Sequence, residues 1–267
     1  MGFAAHSATR VAALACVLAL DLASPCARAA LPDEIQVYVD DLNDPGKYGL
    51  QLHLNSTPSG RTAPDYQGES VAAHATRFTF EPSYGLTPNL EAGAYLPIVL
   101  EPGGSLHVAG FKIRLKWVPL RPAAEGSGFF AGVNGELGQV QTRYENNRRA
   151  FELRPILGWR NADWLFATNP TLTFVLRGPD ASSPPGFEPS YKVSRTIARG
   201  IATGLEYYTD VGTINDIEAA SDQKRVLYWA IDIDRKPWNV NFGIGRGMTA
   251  ITDRWTVKMI IDIPLGN

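Results

Sequence analysis

Within the stretch GFKIRLKWVPL, residues 110–120, positions 111–117 alternate without a break. Phe111, Ile113, Leu115 and Trp117 take every second position, and Lys112, Arg114 and Lys116 fill the gaps. Successive side chains of a β-strand point to opposite faces. This strand therefore has one large apolar face and one face of three cations. A soluble sandwich would bury the first and wet the second. A membrane barrel would turn the first to lipid and the second to a watery lumen.

Working outward, the same alternation recurs along the chain. Candidate strands fall at 48–56, 74–85, 89–99, 107–118, 128–142, 150–159, 164–176, 187–196, 200–210, 224–234, 238–247 and 254–263. In each, Leu, Ile, Val, Phe or Trp opposes polar or charged residues. No convincing amphipathic helix or motif repeat interrupts them. The connections alternate in length. Those near 86–88, 160–163, 197–199 and 235–237 are tight, whereas 57–73, 143–149, 177–186 and 211–223 are longer and rich in Gly, Pro, Asp or Asn. Short turns at one rim and long loops at the other are the habit of outer-membrane barrels. Two connections fit less well: 100–106 is short for a loop, and 119–127 is long for a turn.

The N-terminus names a compartment. Arg10 precedes the apolar run VAALACVLAL at 11–20, and ASPCARAA follows at 23–30. A charged start, a short apolar core and an Ala-x-Ala end read as a secretory signal peptide, with cleavage expected after Ala29. Cys16 and Cys26 both lie in it, without a convincing lipoprotein box, so the mature chain has no cysteine. That excludes a disulfide framework, thiol catalysis and a cysteine-based metal site. The full chain has 267 residues, 45% of them hydrophobic and 19% charged, with a net charge of −2. Nothing in that balance attracts nucleic acid. After the signal no apolar run is long enough for a membrane helix. The expected layout is a signal peptide at 1–29, an N-terminal segment or plug at 30–47, and a barrel at 48–267.

Three features favour barrel over sandwich. Formal charges of both signs sit in mid-strand on the polar face. The tryptophans Trp117, Trp159, Trp164 and Trp238 fall at the expected periplasmic strand ends, and Trp255 near the other rim, as an interfacial girdle requires. Finally, closure removes the edges that an open twelve-strand sheet would leave. The expected fold is all-β: a closed, antiparallel, up-and-down transmembrane barrel of about twelve strands. Three cations on the lipid side would cost about 2–4 kcal/mol each at the midplane, which fixes the facing of the strand.

The stretches LPDEIQVYVDDLNDPGKYGLQLHLN, PSYGLTPNLEAGAYLP, GFKIRLKWVPLR, FFAGVNGEL, ELRPILGWR, NFGIGRGMT and DRWTVKMIIDIP together resemble a group of uncharacterised proteobacterial outer-membrane barrels. They are similar to the putative transporters of the phenol-degradation meta-pathway barrel type. The resemblance covers the mature chain. It implies a twelve-strand-type barrel in the outer membrane of a Gram-negative cell, with lipid and the barrel assembly machinery as partners. In one respect the chain departs from the pattern. Such barrels usually end on an aromatic residue that the assembly machinery reads, and here Leu265 stands near that place.

No catalytic, cofactor-binding or metal-binding residues are expected. His53, His74 and His107 read as lumen or rim histidines in water, since LHLN, AHAT and LHVA do not match the His-x-Ser-Asn pattern of barrel hydrolases. GIGRGMT at 243–249 lacks the helix and Lys-Ser/Thr of a phosphate loop and reads as small residues near a rim. Glu34 to Asp41 could be a plug, a calcium site or a periplasmic tail, and the calcium reading lacks the required ligand spacing. The functional candidates are the lumen-facing charges Glu81, Glu91, Lys112, Arg114, Lys116, Glu136, Glu152, Arg154, Glu206, Asp232 and Lys258, because charged rings set pore selectivity. The expected function is a channel or transporter for a small solute. A closed structural or sensory barrel is the second reading, an outer-membrane lipid hydrolase the third, and a soluble exported sandwich the rival at the level of fold.

Overall fold

A computed structural model describes residues 34–123 and 126–265. The expected signal peptide at 1–29 lies outside them. Fifteen β-elements follow in order. They are β1 (Tyr48–Ser59), β2 (Thr76–Thr87), β3 (Leu90–Leu100), β4 (Leu106–Val108), β5 (Gly110–Leu120), β6 (Gly128–Val140), β7 (Arg149–Arg160), β8 (Trp164–Arg177), β9 (Gly186–Ala198), β10 (Ile201–Asp210), β11 (Gly212–Thr213), β12 (Asp216–Ile217), β13 (Lys224–Arg235), β14 (Trp238–Gly247) and β15 (Trp255–Leu265). Twelve are long strands of 10–14 residues, enough to cross a bilayer when tilted. They correspond one to one with the expected strands.

Each long strand pairs antiparallel with its chain neighbours. The ring closes where β1 pairs β15, with Tyr48 opposite Leu265 and Leu54 opposite Met259. No long strand among the described residues is left with an open edge, and closure of this kind is what hydrocarbon requires of strands. No helix among the described residues is long and apolar enough to cross a membrane.

One rim carries tight turns, apart from the longer connection 121–127, and the other carries longer loops. At the turn rim, residues 199–200 join β9 to β10, and Gly200 takes φ +69, open to glycine at little steric cost. The loop rim holds 60–75, 141–148 and 211–223, the last carrying β11 and β12. The short connection 101–105 is explained by β4. It extends the fourth crossing along β3 beyond a break at Ala109, so the hairpin closes further out.

Alternation resolves the opening stretch. Phe111, Ile113, Leu115 and Trp117 are 47–54% exposed on the outside, whereas Lys112, Arg114 and Lys116 are buried within the ring. Trp117, Trp164 and Trp238 also project outward near the turn rim, with the less exposed Trp159 beside them, and Trp255 projects outward at the loop rim. Such a molecule is inverted relative to a soluble protein. Its large apolar side chains lie outside, and most of its buried side chains are polar.

Candidate functional site

The interior of the barrel is filled from two sources: the inward side chains of the strands, and residues 34–47. The segment leaves the turn rim, where Pro45 bridges Gly85 and the Gly46 amide donates to the Gly85 carbonyl at 2.8 Å. It then runs inward. Asn43 donates its amide to Glu91 and its side chain to Ser83, both at 2.7 Å. Val37 and Tyr38 settle on an apolar layer of Val118, Phe130, Ile156 and Ala167, with Val39 and Leu42 beside them. The Tyr38 amide donates to Asn169 Oδ1 at 2.6 Å, and Asn169 Nδ2 donates back to the Tyr38 carbonyl at 3.1 Å. This two-way bond imitates a β-bridge with a side chain. The Tyr38 and Tyr95 hydroxyls meet at 2.5 Å. At the inner end, Lys258 Nζ donates to the Ile35 carbonyl at 3.0 Å. The segment thus reaches inward residues of β3, β8 and β15, on different sides of the ring.

The wall charges form compact groups. Arg114 joins Glu81 and Glu91, each at 2.7 Å, and His53 Nε2 meets Glu81 at 2.8 Å. Lys112 reaches Glu136 at 3.1 Å, and Arg154 reaches Glu152 at 3.0 Å. Lys192 bridges Glu206 at 3.2 Å and Asp232 at 2.9 Å, and Lys258 closes on Glu206. All eleven sequence candidates lie on the inward face, in these groups or in contact with the segment. Buried charge is tolerated only when paired in this way.

Room for these cations comes from glycines. Gly93 stands directly opposite Arg114, Gly138 opposite Lys112, and Gly243 opposite Lys258. A Cβ at Gly93 would lie 2.9 Å from Arg114 Nε, one at Gly138 3.1 Å from Lys112 Cγ, and one at Gly243 3.0 Å from Lys258 Cε. The long side chains lie flat across their glycine neighbours. This gives GIGRGMT a physical role, since Gly243 makes space for Lys258 and Gly245 for the Tyr228 ring.

Several contributors escaped the sequence reading. Lys192 and Asp262 lie on the same inward face as the other lumen charges, so alternation held the signal. Asp40, Asp41 and Arg160 form pairs that alternation cannot reveal, because the segment is irregular. One expectation is corrected. His53 does not stand in water; it is 1% exposed, because it is held between the wall and Glu81. His107 does lie at the loop rim, 3.7 Å from Glu101, and His74 sits in the connection 60–75.

Two cavities flank the segment. One, of about 240 Å³, lies between its Glu34–Gln36 end and the loop rim, with Arg77, Arg154, Glu188 and Tyr228 among its walls. The other, also about 240 Å³, lies beside Val37–Asp41, against Asp232, Asn241 and Asp262. At the loop rim, Glu101 accepts hydrogen bonds from Ser70 at 2.9 Å and Tyr144 at 3.1 Å and pairs with Arg143 at 2.6 Å. Burial pushes the Glu101 carboxyl up, but those hydrogen bonds and the Arg143 charge outweigh it and hold the group below its ordinary value. Burial, followed by the Glu101 contact, pushes the Tyr144 hydroxyl up to about 12, so it remains a donor.

No family model matches the chain, and no curated protein matches it. Solved structures do. An outer membrane channel from Pseudomonas putida F1 superposes with a TM-score of 0.58, over 87% of this chain and 100% of that one, at 12% identity. A KdgM porin gives 0.52 over 82% and 99%, at 10% identity. A NanC porin gives 0.51 over 82% and 100%, at 10% identity. This chain shares with these structures the fold of a closed antiparallel β-barrel.

Proposed function

We propose that this protein is an outer-membrane channel for a small solute, not an enzyme, with a charged lumen and an N-terminal segment that governs passage. One observation carries the reading: the barrel's large side chains are apolar outside, while its interior is lined by charge-paired, hydrogen-bonding groups. Such a molecule belongs in lipid with a polar path through it. The fold shared with porins and an outer-membrane channel supports this. So does the resemblance of its motifs to putative transporters of the meta-pathway barrel type.

A second reading, a closed structural barrel, is favoured by the segment itself, which fills the lumen and is held by ion pairs to Lys116, Arg154 and Arg160. Planar-bilayer recording separates the two. The channel reading expects low conductance from the full chain and a steady, ion-selective conductance from a variant lacking residues 34–43. Silence from both, in protein shown to be folded in the membrane, would favour the closed barrel.

A further inference from the structure

The lumen cations fall into two classes. Lys112, Arg114, Lys192 and Lys258 are each paired with carboxylates of the wall itself. Lys116 and Arg160 pair with the segment instead, and Arg154 pairs with the segment as well as with Glu152 of the wall at 3.0 Å. Lys116 pairs with Asp41 at 2.5 Å, Arg160 with Asp40 at 3.1 Å and Arg154 with Glu34 at 3.4 Å, all from the segment. Among the described residues, Asp41 is the carboxylate within ion-pair reach of Lys116. The segment thus contributes a carboxylate to each of these three cations.

The group has a defined geometry. Lys116 stands directly opposite Asn134, and Asn134 directly opposite Arg154. Directly opposed residues share a face, so the three form one row across β5, β6 and β7. With strands about 4.8 Å apart, the row spans roughly 10 Å. Asn134 is fully buried at its centre, and neither its Oδ1 nor its Nδ2 has a hydrogen-bond partner among the described residues. A buried amide in that state is rare in a folded protein. Over the row lies the Tyr38 ring, with Arg154 Cζ 4.7 Å and Lys116 Nζ 5.0 Å from its centroid. The segment therefore presents an aromatic ring between two carboxylates, Glu34 on one side and Asp41 on the other.

We infer that the row Lys116–Asn134–Arg154 is a binding site for a small aromatic carboxylate, and that Glu34, Tyr38 and Asp41 occupy it as a tethered stand-in for that ligand. Carboxylates pair with Lys116 and Arg154, the ring takes the cation–π position of Tyr38, and Asn134 supplies a donor and an acceptor to the substituents. The inference rests on the channel reading only in making the ligand the transported solute.

The test is calorimetric titration of the full chain, refolded in liposomes, with terephthalate, adipate and the neutral 1,4-benzenedimethanol. A tethered competitor lowers apparent affinity by the fraction of time it occupies the site. Loosening it with Asp41→Asn, or with Tyr38→Ala, should tighten terephthalate by about tenfold. Adding Lys116→Gln to either variant should abolish the gain. Adipate should bind more weakly and the neutral diol not at all. Equal binding of adipate and terephthalate would overturn the aromatic assignment. Absence of terephthalate binding in folded Asp41→Asn would overturn the site. Conductance recorded from the same vesicles keeps the two ideas apart. Binding without conductance leaves the site standing and removes the channel, and conductance without binding does the reverse.

Discussion

Arg114 illustrates how single residues hold this barrel together. It lies across Gly93 and joins Glu81 to Glu91, so that one guanidinium supplies the formal positive charge that both buried carboxylates share. Removing one partner of a buried pair costs about 3–5 kcal/mol, because the remaining charge is stranded. Arg114→Ala should therefore lower unfolding stability by that amount in a urea titration, whereas the triple change that also makes Glu81 and Glu91 glutamine should recover much of it. Glu101 makes the matching case at the loop rim. Its carboxyl is held low when folded, so its contribution is present above the unfolded value and is lost as pH falls through the folded one. Limited proteolysis of the loops at 60–75 and 141–148 should accelerate below about pH 4. In Glu101→Gln that acceleration should disappear, since the group no longer titrates. Such pairings were only partly legible in the sequence. Alternation assigned each lumen residue to its face, but which cation meets which carboxylate depends on register between strands, and the sequence does not state register.

The strands themselves were the legible part. Period-two alternation is intrinsic to a wall between lipid and water, and turn residues mark where it stops. Every long strand was therefore readable, with its ends shifted by a few residues. The irregular parts were not. The Ala109 break and the β4 extension depend on how far the hairpin rises beyond the membrane, and no local pattern records that. The same physics makes a directional prediction for β5. Ile113→Arg places a cation in lipid near mid-strand and should destabilise the barrel by about 2–4 kcal/mol. Gly138→Ser, on the inward face, should cost far less at the membrane and act instead by crowding Lys112. Heat-modifiable gel migration across a denaturant series measures both.

Over the whole molecule, the decisive feature is that an acidic segment before β1 lies inside the ring it precedes. Its sequence admitted a plug or a tail, since neither periodicity nor a motif marks a peptide whose partners come from strands far along the chain. Tyr38 shows why: it meets Asn169, 131 positions away, and Tyr95, 57 away. Truncating a buried aromatic costs about 3–5 kcal/mol, so Tyr38→Ala should weaken docking of the segment while leaving the ring of strands intact. The most direct measurement is single-channel conductance of the full chain beside the variant lacking residues 34–43, in the same planar bilayer. The account predicts a small or intermittent conductance from the first and a steady, ion-selective one from the second. Two folded proteins that both remain silent would contradict it.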